Sequence, residues 1–162
     1  MSWTPRTLRW FLERNAAERG AAEALVTRSG RFTHEELLLK AEAAAGGMQA
    51  LGLGRGDHVG ILMGNDEKWL ALFYGAALVG AVTVPVNTRF KRAEIEFCLR
   101  KSDCKALFHV SSFLGIDFES FLSGIKPPIA VEVSARLPTG TFQEGAVSPG
   151  DPILIQFTSG TT

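Results

Sequence analysis

The last ten residues of the chain join a short apolar run to a cluster of small, flexible and hydroxyl-bearing residues. The run covers residues 153–157 (ILIQF) and favours a strand. The cluster that follows consists of Thr158, Ser159, Gly160, Thr161 and Thr162. Backbone N–H groups of such a loop can point inward together and bind an anion, glycine permits unusual backbone angles, and the hydroxyls add uncharged donors. We therefore interpret residues 158–162 as a site for the phosphates of a nucleotide.

Two better-known phosphate-binding sequences are absent from the chain. It contains no G-x-x-x-x-G-K-[ST], and its glycine-rich residues 52–56 (GLGRG) follow a predicted helix, whereas a dinucleotide-binding loop follows a strand. Composition alone also fits a polar tail without a defined structure. The residue types of 158–162 thus leave two interpretations open, a phosphate site or a simple tail.

A strand, a helix and a second strand in the middle of the chain predict where this loop lies. Residues 58–63 (HVGILM) and 81–86 (AVTVPV) are typical of buried strands, and residues 66–79 between them form a helix that is apolar nearly all round. Short connections make this a βαβ unit with parallel strands. We predict an α/β fold, a parallel sheet flanked by helices. The loop then lies beyond the carboxyl end of a strand, where open α/β sheets bind ligands.

The first fifty residues predict a helix, a hairpin and a second helix. Thr4 is the expected cap of the first helix, which ends near Gly20, and residues 23–33 form the hairpin. Thr33 and Glu36 have the spacing of a capping box, which opens a helix to about residue 51. Two glycines inside that helix, residues 46–47, indicate close packing there.

Further elements alternate along the second half of the chain. We expect a helix over residues 92–100, a strand over 106–110, a helix over 112–122, a weak strand over 129–133 and an irregular stretch over 135–150. Asn65 is the expected cap of the helix over 66–79. The inward residues of helix 92–100 are expected to be Ile95, Phe97, Cys98 and Leu99.

Composition excludes several classes of function. Seventeen basic and seventeen acidic residues give no net charge to hold a polyanion, so we expect no nucleic acid. The two cysteines and three histidines lack the spacing of a metal site. No apolar run reaches the length of about 18 residues needed for a membrane span. The cysteine usage favours a reducing compartment, and we predict a cytoplasmic location.

The segment 153–162 resembles the first half of the signature T-S-G-T-T-G-x-P-K-G of the adenylate-forming superfamily, which includes acyl-CoA synthetases, aryl-CoA ligases and luciferases. Residues 31–37 (RFTHEEL) resemble the family's R-x-T-Y-x-E-L, with His34 in place of the tyrosine. Residues 54–61 (GRGDHVGI) resemble the family's G-x-x-x-G-D-x-V-A-I, and residues 80–87 (GAVTVPVN) resemble its G-A-x-x-x-P-x-N. The order and spacing of these pieces are more specific than any one of them.

This resemblance implies a two-step reaction of an acyl-CoA synthetase. ATP and a carboxylic acid, with Mg²⁺ assisting, give an acyl-adenylate and pyrophosphate, and the thiol of coenzyme A then attacks the adenylate. Thr158, Ser159, Gly160, Thr161 and Thr162 would hold the ATP phosphates. A fatty or aryl acid is the substrate that the resemblance favours.

Several parts of the family's pattern have no counterpart in residues 1–162. The loop's lysine, the glutamate that meets Mg²⁺, the ribose-binding aspartate and the C-terminal catalytic lysine are missing. We therefore expect residues 1–162 to be a partial N-terminal domain without the C-terminal domain, inactive alone, with no bound ATP, Mg²⁺ or coenzyme A. Exposed apolar surface on the helix over 66–79 and some self-association would follow. The alternative is a truncated, non-catalytic module that binds a partner through its sheet edge.

Overall fold

The computed structural model describes residues 4–125 and 127–158. The helices of these residues are α1 (Leu8–Arg19), α2 (His34–Ala50), α3 (Glu67–Val79), α4 (Arg92–Lys101) and α5 (Phe118–Leu122). The strands are β1 (Glu23–Val26), β2 (Arg31–Thr33), β3 (His58–Leu62), β4 (Val82–Pro85), β5 (Cys104–His109), β6 (Ser112–Phe113), β7 (Ile116–Asp117) and β8 (Ile129–Glu132).

A parallel sheet with the strand order β4-β3-β5-β8 forms the centre of the molecule. Every pair in it is parallel, as the βαβ unit predicted. Two short antiparallel hairpins, β1-β2 and β6-β7, lie outside it. The α/β fold with a parallel sheet and flanking helices is therefore confirmed.

The two faces of the sheet carry separate apolar clusters because side chains alternate along each strand. Ile61 of β3 and Ala76 of α3 belong to the cluster on the α1, α2 and α3 side. Leu62 of β3 and Ile95 of α4 belong to the cluster on the α4 and α5 side. The sheet is thus covered by helices on both faces, which explains why its strands are almost continuously apolar.

The helix starts confirm one prediction and correct two. The capping box of α2 is present: the N–H of Glu36 donates to Thr33 Oγ1 at 3.2 Å, and the N–H of Thr33 donates to Glu36 Oε2 at 2.8 Å. Thr7, not Thr4, caps α1 and accepts from the N–H of Trp10. Asp66, not Asn65, caps α3, where its carboxylate accepts from Trp69 N at 2.9 Å and adds a charge that the helix start favours.

Residues 112–122 were predicted as one helix, which is wrong for the first half. They form the hairpin β6-β7 followed by the short helix α5. Leu114 and Gly115 at the hairpin tip have φ values of +50° and +80°. Two consecutive positive φ angles are those of a type I′ turn, which helical apolar spacing does not reveal.

Two other predictions about apolar residues are corrected. Phe97 was expected to face inward on α4, yet it is half exposed, while Ile95, Cys98 and Leu99 are buried. The helix α3 was expected to expose an apolar face, but its large apolar side chains are buried or partly buried, because α2 packs closely over it. A methyl group on Gly75 of α3 would lie 2.9 Å from Ala44 Cβ, so the two helices are in direct contact.

The chain returns to the sheet at residues 151–158, which we call the edge segment. The sequence predicts a strand over residues 153–157, but within the described part of this segment there is a single parallel bridge, between Leu154 and Thr83. Thr83 N donates to Ile153 O at 3.0 Å, and Ile155 N donates to Thr83 O at 2.9 Å. The edge segment therefore runs parallel to β4 on the side of β4 away from β3.

Candidate functional site

The carboxyl ends of β3, β4 and the edge segment lie at the same end of the sheet because all three run parallel. A cleft of about 880 Å³ opens at this end. It is bordered by residues that follow the two strands (Met63, Gly64, Asn65, Val86, Asn87, Thr88) and by the end of the edge segment (Gln156, Phe157, Thr158). The position is the one where open parallel sheets bind ligands.

Thr158 is the predicted phosphate-site residue that the structure describes. It is exposed and lies on the wall of the cleft. The predicted site residues Ser159, Gly160, Thr161 and Thr162 lie outside the described residues. Thr158, with which the predicted loop begins, thus borders the cleft together with the amide side chains of Asn65, Asn87 and Gln156.

Aromatic side chains also border the cleft, and the spacing of residues along the sequence does not predict this. The rings belong to Trp69, Phe90, Phe97, Phe113 and Phe157. Phe97 and Phe157 lie edge to face, with centroids 6.1 Å apart and planes inclined by 70°. One sequence signal could have predicted the position of Phe157. Alternation along the edge segment places Phe157 on the same face as Ile155, towards α4.

Cys98 borders the cleft without being suited to act as a nucleophile. Its side chain is buried, and burial followed by the nearby charge of Glu94 raises the pKa of the thiol. A thiol with a raised pKa is protonated and unreactive at neutral pH. Burial likewise raises the pKa of Cys104, whose sulfur lies 3.2 Å from Ser102 Oγ. Both cysteines therefore act as small apolar residues, as predicted for Cys98.

The histidines do not converge on the cleft. His58 lies at the amino end of β3, where Nδ1 is hydrogen-bonded to Ser102 O, whereas His109 lies at the carboxyl end of β5. Among residues 4–125 and 127–158, no cluster of three or more His, Cys, Asp or Glu side chains is placed to hold a metal ion. In the same part of the chain, no helix has the length and apolarity to cross a membrane.

Comparison with protein families matches residues 12–162 to the model of the AMP-binding enzymes. The long-chain-fatty-acid–CoA ligase FadD13 of Mycobacterium tuberculosis is 32% identical over 168 residues, which cover 97% of this chain and 33% of that protein. The acyl-CoA ligase SID4 of Ajellomyces capsulatus is 30% identical and covers 83% of this chain and 28% of its own length. The chain thus spans about a third of the length of these relatives.

Solved structures give the same result. The N-terminal domain of FACL13 from Mycobacterium tuberculosis superposes with a TM-score of 0.82 at 30% identity, over 95% of this chain and 42% of that one. The anthranilate CoA ligase AuaEII, in complex with anthranoyl-AMP, superposes with a TM-score of 0.84 at 28% identity, over 99% of this chain and 33% of that one. The chain belongs to the AMP-binding enzyme family and corresponds to the N-terminal region of its acyl-CoA ligases.

Proposed function

We propose that the protein that contains this region is an ATP-dependent acid–thiol ligase. In the first step the carboxylate attacks the α-phosphorus of ATP, which forms an acyl-adenylate and releases pyrophosphate. In the second step the thiol of coenzyme A attacks the acyl carbon, which forms the thioester and releases AMP. The observation that carries the proposal is the position of Thr158, which begins the T-S-G-T-T sequence at the carboxyl edge of a parallel sheet.

The role of the loop is to bind the phosphates that leave. Hydroxyl and N–H donors of residues 158–162 would hydrogen-bond the β- and γ-phosphates of ATP, and such charge-assisted bonds are stronger than neutral ones. They would also stabilise the charge that develops on pyrophosphate as it departs. Mg²⁺ would be held by groups of the family's pattern that lie outside residues 1–162.

The substrate is proposed to be a carboxylic acid with an apolar body, fatty or aryl. The support comes from the relatives, one named for long-chain fatty acids and another solved with anthranoyl-AMP. Residues 1–162 are proposed to be part of a larger N-terminal domain and to be inactive alone. The support is that residues 1–162 cover only 33% of the length of FadD13.

The test begins with the coding sequence downstream of Thr162, where we expect Gly, any residue, Pro and Lys. Pyrophosphate release by the full-length protein is then measured with fatty and aryl acids, ATP, Mg²⁺ and coenzyme A. Thr158→Val removes one hydroxyl donor and is expected to lower kcat/KM for ATP about tenfold or more. Thr139→Val, the same change at an exposed residue that does not border the cleft, is the control.

Absence of acid-dependent pyrophosphate release from the full-length protein would reject the ligase proposal. A second candidate is a non-catalytic module that binds a partner or a second copy through the sheet edge. It is favoured by the exposure of Ile153 and Leu154 along that edge and of Phe97 on α4, next to Phe157. A stop codon directly after Thr162, together with a concentration-dependent sedimentation coefficient, would support this candidate instead.

A further inference from the structure

The edge segment is attached to the sheet by few backbone bonds. Among the described residues, its backbone bonds to β4 are the two that Thr83 exchanges with Ile153 and Ile155. Leu154 is 42% exposed, so burial adds little at this point. A strand held this weakly is prone to slip, and a shift of one residue moves every side chain to the other face.

Such a slip would change what enters the cleft. Ile155 and Phe157 pack on the apolar cluster of α4 and α5. Alternation places Gln156 and Thr158 on the other face of the segment. A one-residue slip would exchange Phe157 and Thr158, so the first residue of the phosphate loop would point at the apolar cluster.

An ion pair holds the segment where it begins. Arg55 Nη2 donates to Asp151 Oδ1 at 2.7 Å. The second carboxylate oxygen of Asp151 accepts from Ser148 N at 2.8 Å, and Asp151 N donates to Ser148 O at 3.0 Å. Both oxygens of Asp151 are therefore engaged, and the turn before the segment is closed around its side chain.

Arg55 is itself fixed against the start of β4. It lies in a tight turn that is closed by Gly54 N donating to Asp57 Oδ2 at 2.8 Å and by Gly56 N donating to Gly80 O at 2.9 Å. The aliphatic part of Arg55 packs on Gly80, where a methyl group would lie 3.0 Å from Arg55 Cγ. Lys105 Nζ, 3.0 Å from Asp57 Oδ2, ties the same turn to β5.

We propose that Arg55 is a positioning residue, which with Asp151 fixes the register of the edge segment on β4 and so delivers Thr158 to the cleft. Three contacts hold the segment: the Arg55–Asp151 pair at its amino end, the hydrogen bonds of Thr83 in its middle, and the contact of Phe157 with Phe97 at its carboxyl end. What Thr158 does once it is positioned rests on the proposed function, but the positioning itself does not.

Amide hydrogen exchange of the full chain, measured by NMR without nucleotide, tests this. Arg55→Ala and Asp151→Asn are expected to raise the exchange rate of the Ile155 amide about two- to fivefold, the range expected for an exposed ion pair. The amide of Leu107 in the buried strand β5 is expected to be unchanged. Arg55→Lys, which keeps the positive charge and the aliphatic chain that packs on Gly80, is expected to retain most of the protection of Ile155.

Arg31→Ala is the matched control, because it removes an exposed ion pair, with Glu23, on the β1-β2 hairpin. Two results would overturn the proposal: an Ile155 amide that responds no more to Arg55→Ala than to Arg31→Ala, or equal increases at Ile155 and Leu107. The second would mean that the pair contributes only to global stability. A separate titration of the full-length protein with pyrophosphate reports on the phosphate site, so failure of the two ideas can be told apart.

Discussion

Gly46, near the carboxyl end of α2, lies directly against the backbone of Gly140. A methyl group on Gly140 would lie 2.6 Å from Gly46 O, and one on Gly46 would lie 2.8 Å from Phe142 N and overlap with the Gly140 carbonyl. Gly140 N donates to Ala43 O at 3.1 Å, and Gln49 exchanges two hydrogen bonds with the backbone of Gln143. The irregular residues 138–143 thus lie in a groove on α2 that Gly46 and Gly47 form because they have no side chains.

Gly46→Ala is expected to destabilise the chain by about 1–3 kcal/mol, although alanine is the better helix former, because the methyl group overlaps with fixed backbone. Gly145→Ala is the control, since its added methyl group would meet no atom within 4 Å. The measurement is urea unfolding of both variants. A Gly46→Ala chain as stable as the original would show that residues 138–143 do not dock as described.

Thr83→Val is expected to raise the stability of the chain, by up to about 1 kcal/mol. Thr83 is fully buried, and among the described residues its Oγ1 has no hydrogen-bond partner. Valine has the same shape and removes the cost of burying an unpaired hydroxyl. Thr83→Ser, which keeps the hydroxyl and loses a methyl group, is expected to be less stable than the original. A loss of stability in Thr83→Val larger than in Thr83→Ser would indicate that the hydroxyl is bonded after all.

Leu114→Gly is expected to stabilise the β6-β7 hairpin, by roughly 0.5–1 kcal/mol in thermal unfolding. Leu114 adopts φ +50° with 81% of its surface exposed. A residue with a Cβ is strained by about 1–2 kcal/mol in this region. Glycine avoids this strain, but it loses more conformational entropy on folding, so the net gain is smaller. Leu114→Ala keeps the Cβ and therefore should show no comparable gain. An equal gain in both variants would attribute the effect to the lost apolar side chain and not to the backbone.

The Arg55–Asp151 pair is expected to make stability depend on pH in the acid range. The hydrogen bond from Arg55, followed by that from Ser148 N, lowers the pKa of Asp151. A lowered pKa means that the stabilisation is present above the pKa of the unfolded chain and is lost as the pH falls through that of the folded chain. The Tm difference between the original and Asp151→Asn should be constant above about pH 5 and shrink below about pH 4. A difference that persists unchanged in acid would contradict the ionic role.

Mg-ATP is expected to leave the melting temperature of residues 1–162 unchanged at millimolar concentration, while it raises that of the full-length protein. A ligand stabilises a protein only as far as its concentration exceeds its dissociation constant. The family's further ATP-binding groups have no counterpart in residues 1–162. A clear rise for the short chain would show that the phosphate loop alone holds the nucleotide.

The local elements could be read from the sequence because their signals are local. Residues within a few positions of one another define the apolar runs at β3 and β4, the apolar helix α3 between them and the Thr33–Glu36 capping box. Gly80 has φ +74°, as a helix end at glycine requires. Spacing also predicted the parallel sheet, and with it the edge at which Thr158 lies. Where two caps were assigned to the wrong residue, the residue that caps the helix lies within three positions and also carries a side-chain oxygen that can accept the bond.

Tertiary structure decided the contacts between residues that are distant in the chain. Arg55 and Asp151 are separated by 96 positions, and nothing in either neighbourhood indicates the other. The aromatic residues that border the cleft come from five separate parts of the chain. They are Trp69 of α3, Phe90 between β4 and α4, Phe97 of α4, Phe113 of β6 and Phe157 of the edge segment. Residues 138–143 read as irregular, yet they fill a specific groove on α2. Periodicity determines which face of an element is apolar, but which elements meet depends on how all of them pack at once. For that reason the chemistry of the predicted phosphate loop could be predicted from the sequence, whereas the contacts that position its first residue could not.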